Sequence, residues 1–163
     1  MGTGDELRWA TAYHEAGHCV VGLLTGAEPK KASIVAGDNL EGATWFDDDA
    51  QALLVEDPPR EASEWYIIRG LAGPLAEHRF TGDDATPGVC EAYAPATELL
   101  ARLATDTDRL SASLVARTEA ILTEHWTAVE QVAATLAEHL TVDGEGLRAA
   151  ARMKGVRAGE LCD

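Results

Sequence analysis

His14, Glu15, Ala16, Gly17 and His18 form a pentapeptide whose residue types and spacing can do chemistry. In a helix, positions i and i+4 share a face about one turn apart, so both imidazoles can grip one metal ion with Glu15 beside it. Two neutral imidazoles leave most of the charge of a Zn²⁺ ion uncancelled. A water in an open coordination position then loses its proton near neutral pH. A neighbouring carboxylate can take that proton and later hand it to a leaving group. The pattern assigns His14 and His18 to the metal and Glu15 to the proton transfers, and the chemistry expected is metal-assisted hydrolysis.

A helix must carry these groups. Leu7, Ala10, His14, Gly17, Val21 and Leu24 recur at steps of three and four, so one stripe is expected to hold both packing residues and ligands. Thr25, Gly26 and Pro29 end the run. Residues Lys31 to Ala36 and Gly42 to Phe46, flanking Gly37, Asp38 and Asn39, read as a small hairpin or pair of strands. A strand beside the metal helix could bind an extended peptide along its edge, or serve only to cover the core. After the acidic Asp47, Asp48 and Asp49, Pro58 and Pro59 mark a helix start. That helix runs from Arg60 to Phe80, with Gly70 and Gly73 small enough to admit the metal helix and a kink expected at Pro74.

A loop at Thr81 to Gly88 precedes a helix starting around Tyr93 to Pro95 and passing through Leu99, Leu100 and Leu103. Asp108 to about Leu140 holds two amphipathic stretches. The first carries Leu110, Leu114, Ile121 and Leu122; the second carries Trp126, Val129, Val132, Ala133 and Leu136. Asp143, Gly144 and Gly146 introduce a last short helix, and the chain from Gly155 is expected to fray. His78, His125 and His139 lack ligand spacing and are expected to face solvent.

Bulk properties narrow the function classes. The 163 residues suit one domain, and 13 Lys+Arg against 28 Asp+Glu give a net charge of −15, which excludes nucleic acid and anionic membranes as partners. No apolar stretch is long enough for a membrane span, and no leader pattern opens the chain. Cys19, Cys90 and Cys162 are too scattered for a disulfide framework, with Cys19 expected to pack as a small hydrophobe. A cytoplasmic protein is the expectation.

The run from Tyr13 to Leu24 resembles the metal helix of the FtsH-like zinc peptidases. Three later segments are similar to that family's and stand in the same order. They are a lysine-containing strand (Lys30 to Val35); Leu40, Glu41, Gly42, Ala43 and Thr44, like the family's Leu-Gly-x-Thr; and Leu71 to Glu77, like its Gly-Gly-Arg-x-Ala-Glu. The helices around Leu122 and Trp126 and the segment Thr141 to Leu147 are similar too. The resemblance implies a mostly α-helical, zincin-like domain over residues 5–155, with a small β hairpin or sheet beside the metal helix and a flexible tail at 156–163. It also implies that Glu77 accepts a hydrogen bond from a ligand imidazole and fixes its tautomer.

Two departures from that family matter. The sequence has no Gly-rich phosphate loop with Lys and Ser/Thr, so a stand-alone, ATP-independent peptidase domain is expected. The family's third ligand is an Asp shortly before an Ala-Thr pair; Ala96 and Thr97 match the pair, yet Ala92 stands at the Asp position. Glu91 is the favoured third ligand, its extra methylene offsetting a one-residue shift, with Asp83, Asp84 and Cys90 as alternatives. The function expected is zinc-dependent cleavage of a peptide or amide bond, with peptides, unfolded proteins or a small amide as substrate. A metal-binding regulatory protein without turnover and an enzyme acting on a small biosynthetic substrate are the alternatives.

Overall fold

A 22-residue helix, α1 (Thr3–Leu24), organises the rest of the chain. The computed structural model describes residues 3–35, 42–47, 58–82, 94–152 and 155–161. Asp5 and Glu6 lie in the first turn of α1, where acidic side chains complement the helix dipole. Its end is closed by Gly26, whose φ of 77° lets its N–H reach Leu23 O (3.1 Å) while the Ala27 N–H reaches Gly22 O (2.8 Å). This paired pattern satisfies carbonyls that a helix end otherwise leaves open.

The chain then forms β1 (Pro29–Ser33) and β2 (Ala43–Phe46), antiparallel, with Ala32 opposite Thr44 and Ser33 opposite Ala43. Helix α2 (Arg60–Thr81) comes after Pro58 and Pro59 and ends at Gly82, whose left-handed φ of 75° directs its N–H onto His78 O. Pro74 sits inside α2, and the helix continues through it. Four more helices complete the order: α3 (Ala94–Leu103), α4 (Thr107–Glu124), α5 (Trp126–His139) and α6 (Gly144–Arg152). The Asp106 carboxylate caps α4 by accepting from the Arg109 N–H at 3.0 Å, and Asp143 caps α6 by accepting from the Gly146 N–H at 2.8 Å.

The described residues are therefore mostly α-helical, with six helices and a small antiparallel sheet, as expected. The sheet has one strand more than the sequence suggested. Residues Thr141–Asp143 form β3, which pairs along the side of β1 away from β2, giving the order β2-β1-β3. Three residues are too few to leave a periodic signature; β3 exists because the open edge of β1 receives it.

Helix α1 packs against α2, α5 and the inner face of the sheet, while α2 packs on α3 and α4. Leu24, Ile67, Ile68, Leu71, Leu99, Leu122, Leu136 and Leu147 are fully buried in a core that all six helices share. Two expectations need correction. Leu7 is 54% exposed and is no part of the packed stripe, because α1 residues 4–8 all stand clear of the elements that cover the rest of the helix. The chain after Gly155 is docked over its described part: the N–H groups of Gly159 and Leu161 donate to Leu23 O and Leu24 O at 2.8 and 3.0 Å, and Val156 is buried. The last carbonyls of α1 supply acceptors that hold it there. Among the described residues, no helix is long and apolar enough to cross a membrane.

Candidate metal centre

His14 and His18 rise from consecutive turns of α1 on the side that meets α2. Their ring centroids are 4.9 Å apart, with the ring planes at 72°. Each ring is held from α2 through its Nδ1 atom. His14 Nδ1 lies 2.7 Å from Glu77 Oε2, and His18 Nδ1 lies 2.8 Å from the backbone oxygen of Arg69. Both oxygens accept, so each Nδ1 carries the proton and donates it. In the neutral rings the lone pair is then left on Nε2, the arrangement in which imidazole binds a metal.

The electrostatics favour this state for His18. Desolvation of the His18 ring, helped by the neighbouring His14, lowers its pKa to about 3, so it stays neutral across the physiological range. The hydrogen bond from His14 holds the Glu77 carboxyl below its ordinary value, keeping it an acceptor.

Two glycines let the helices come this close. A Cβ at Gly17 would collide with the backbone oxygen of Ala72 and stand 2.8 Å from Ala76 Cβ. On the facing helix, a Cβ at Gly73 would collide with His18 Nε2 and stand 2.8 Å from His14 Cδ2. The His18 ring and the backbone of α2 approach this closely because residue 73 has no side chain. Two imidazoles whose Nδ1 atoms are committed to acceptors keep their Nε2 lone pairs free of that role, the form in which histidine ligates a metal.

Glu15 turns toward the sheet and is only 4% exposed. Thr44 of β2 donates its hydroxyl to Glu15 Oε2 at 2.6 Å. Burial raises the pKa of Glu15; the Thr44 hydrogen bond and His14 oppose this, and Glu77 adds to it. A buried carboxylate with raised proton affinity is suited to taking up and returning a proton. Cys19, one turn further along α1, is fully buried, with Sγ 3.7 Å from Thr44 Oγ1, and desolvation pushes its thiol up to about 12. It packs as a small protonated hydrophobe, as its place in the helix suggested.

Among the described residues, no group of three or more His, Cys, Asp or Glu side chains comes together as a metal cluster. Glu91, Asp83, Asp84 and Cys90, the candidates for a third ligand, lie outside the described residues. The remaining histidines differ from a uniform solvent-facing expectation. His139 is exposed, His125 is half-buried at the junction of α4 and α5, and His78 is half-buried, its Nδ1 enclosed without a hydrogen-bond partner among the described residues. Sequence reasoning missed Thr44 and the Arg69 carbonyl as partners of the pentapeptide. Thr44 had a signal only in the Leu-Gly-x-Thr resemblance, and a backbone carbonyl leaves none.

No family model matches the chain. The ATP-dependent zinc metalloprotease FtsH 3 of Conexibacter woesei is similar to it, with 48% identity over 88 residues. That stretch is 50% of this chain and 11% of the relative, so the chain spans about a tenth of the length of the curated protein it matches. The comparison links half of the chain to FtsH-like proteins.

Proposed function

We propose that this protein is a zinc-dependent hydrolase that cleaves peptide or amide bonds. The observation that carries the reading is the pair of imidazoles on α1, each with Nδ1 bound to an acceptor on α2 and with Gly73 packed against both rings. His14 and His18 would hold the ion through Nε2, with a third donor from the chain around Glu91. A zinc ion there supplies Lewis acidity toward a substrate carbonyl and acidifies a water. Glu77 and the Arg69 carbonyl hold the two rings in orientation. Glu15 takes a proton from the attacking water and delivers it to the leaving nitrogen. The similarity to a zinc metalloprotease over half of the chain supports the same reading.

Peptides and unfolded chains are the substrate class we favour. The outer edge of β2 is unpaired among the described residues and lies on the strand that contacts Glu15, where an extended segment could add by main-chain hydrogen bonds. These 163 residues contain no phosphate-cradling loop, so cleavage by them is independent of ATP. A cytoplasmic setting suits the free, buried Cys19.

Elemental analysis and turnover on an unfolded reporter, with and without chelator, test the reading. About one zinc per chain is expected, lost in a His14→Ala, His18→Ala double variant. Glu15→Gln should keep its metal while turnover falls by roughly 10²-fold or more. Metal content indifferent to both histidines would overturn the site. Alanine at position 92, where the FtsH-like pattern has its ligand Asp, favours a second reading: a metal-binding regulatory protein without turnover. Zinc binding with no cleavage of peptides, unfolded proteins or small amides would select it.

A further inference from the structure

The contact between α1 and β2 carries a role that the zinc site alone does not explain. Glu15 is a buried carboxylate, and a carboxylate removed from water needs a donor to hold its charge and its rotamer. Thr44 Oγ1 supplies one, 2.6 Å from Oε2. Oε1 lies elsewhere, against Gly42, where a Cβ would stand 2.8 Å from it and 2.7 Å from Thr11 Cγ2. One oxygen is thus tied to the strand by a hydroxyl, while the other packs against a glycine two residues earlier, where a side chain would not fit.

The strand fixes this hydroxyl. Thr44 lies opposite Ala32 in the β1–β2 ladder, and Ala32 lies opposite Val142 on the other side, so the three form one row across the sheet. Ala32 and Val142 are buried. A slip of one residue would replace Thr44 with Ala43 or Trp45, neither of which has a hydroxyl. β-Branching stiffens the side chain about χ1. With Glu15 ionised, its oxygen can only accept, so the Thr44 proton points to the carboxylate and leaves the hydroxyl lone pairs facing Cys19 Sγ, 3.7 Å away.

We propose that Thr44 is a positioning residue for the general base: its hydroxyl anchors Oε2 of Glu15 and thereby fixes the orientation of the carboxylate for proton transfer. The inference rests on Glu15 acting as that base. A threonine in a strand also has a purely structural use, since β-branched residues suit strands, and valine would then serve equally well. Thr44→Val keeps shape and branching and removes only the hydroxyl; Thr44→Ser keeps the hydroxyl and removes the methyl.

The test uses the zinc-loaded full chain and two readouts. In turnover, Thr44→Val should lower kcat by about 10- to 100-fold, the worth of a hydrogen bond to a charged group, with KM and zinc content unchanged. Thr44→Ser should recover most of that loss. The second readout needs no turnover: the ¹³C carboxyl resonance of Glu15, identified by its disappearance in Glu15→Gln, should move at fixed pH in Thr44→Val and stay near the wild-type position in Thr44→Ser. Equal impairment of the two variants, or a wild-type resonance in Thr44→Val, overturns the inference. Full activity in Glu15→Gln would instead remove the base assignment, a failure separable from the first because the resonance comparison still reports on the contact.

Discussion

The two sides of α1 solve the same problem by different means. On the side facing α2, His14 and His18 are held by a carboxylate and a backbone carbonyl, and glycines on both helices bring the surfaces together. On the side facing the sheet, the hydroxyl of one strand residue reaches Glu15, and the glycine that makes room immediately precedes that strand. The geometry of the imidazoles thus depends on helix–helix distance, whereas the orientation of the carboxylate depends on strand register. Metal binding and proton transfer should therefore be separable by mutation.

Gly17→Val would test the helix side most severely. The new side chain collides with the backbone of Ala72, which cannot swing aside as a side-chain end can. A destabilisation at the upper end of the roughly 1–3 kcal/mol typical of overpacking, or beyond it, is expected in denaturant unfolding, with loss of metal. A variant with wild-type stability would mean that the helices can separate without cost. Gly73→Ala and Gly42→Ala sharpen the contrast. The first should lose zinc affinity at modest cost in stability, because its methyl meets His18 Nε2. The second should keep zinc and lose turnover, because its methyl meets Glu15 Oε1 and Thr11 Cγ2. Metal analysis and turnover on the same preparations check both, and parallel loss of both properties in both variants would dissolve the distinction between the two sides.

A smaller effect is expected for Glu77→Gln. The amide can still accept from His14 Nδ1 but brings no charge, so zinc affinity should fall by about 10- to 100-fold in a competition titration with a chelating dye, while the fold remains. Unchanged affinity would reduce the contact between His14 and Glu77 to a surface pair. Smallest of all is Leu7→Glu. With Leu7 half-exposed, stability should stay within about 0.5 kcal/mol of wild type, whereas Leu24→Ala, at a fully buried position of the same helix, should cost about 2–5 kcal/mol.

Much of the helical architecture was legible because it repeats locally. The apolar spacing around Ile67, Ile68, Leu71 and Leu75 marked α2, and that around Val129, Val132, Ala133 and Leu136 marked α5; all eight are buried. Leu7 fitted the same periodicity and is exposed, since periodicity says which residues share a face and not how far along the helix a neighbour covers it. The close approach of α2 to α1 was foreshadowed by its small residues, and α2 runs on through Pro74 as its apolar spacing suggested. Strand β3 was not legible: Thr141, Val142 and Asp143 become a strand by pairing with residues Lys31 to Ser33.

By itself the sequence determined the helical pattern, the acidic balance and the sharing of one helix face by His14 and His18, since each depends on residue type and short spacing. The partners of those groups are another matter. His14 meets Glu77 across 63 positions, His18 meets the Arg69 carbonyl across 51, and Glu15 meets Thr44 across 29. Contacts over such separations impose no local period, and an acceptor on the backbone imposes no residue type. Resemblance pointed to Glu77, and only the packing of α2 and β2 onto α1 decided the tautomer of each ring and the oxygen by which Glu15 is held.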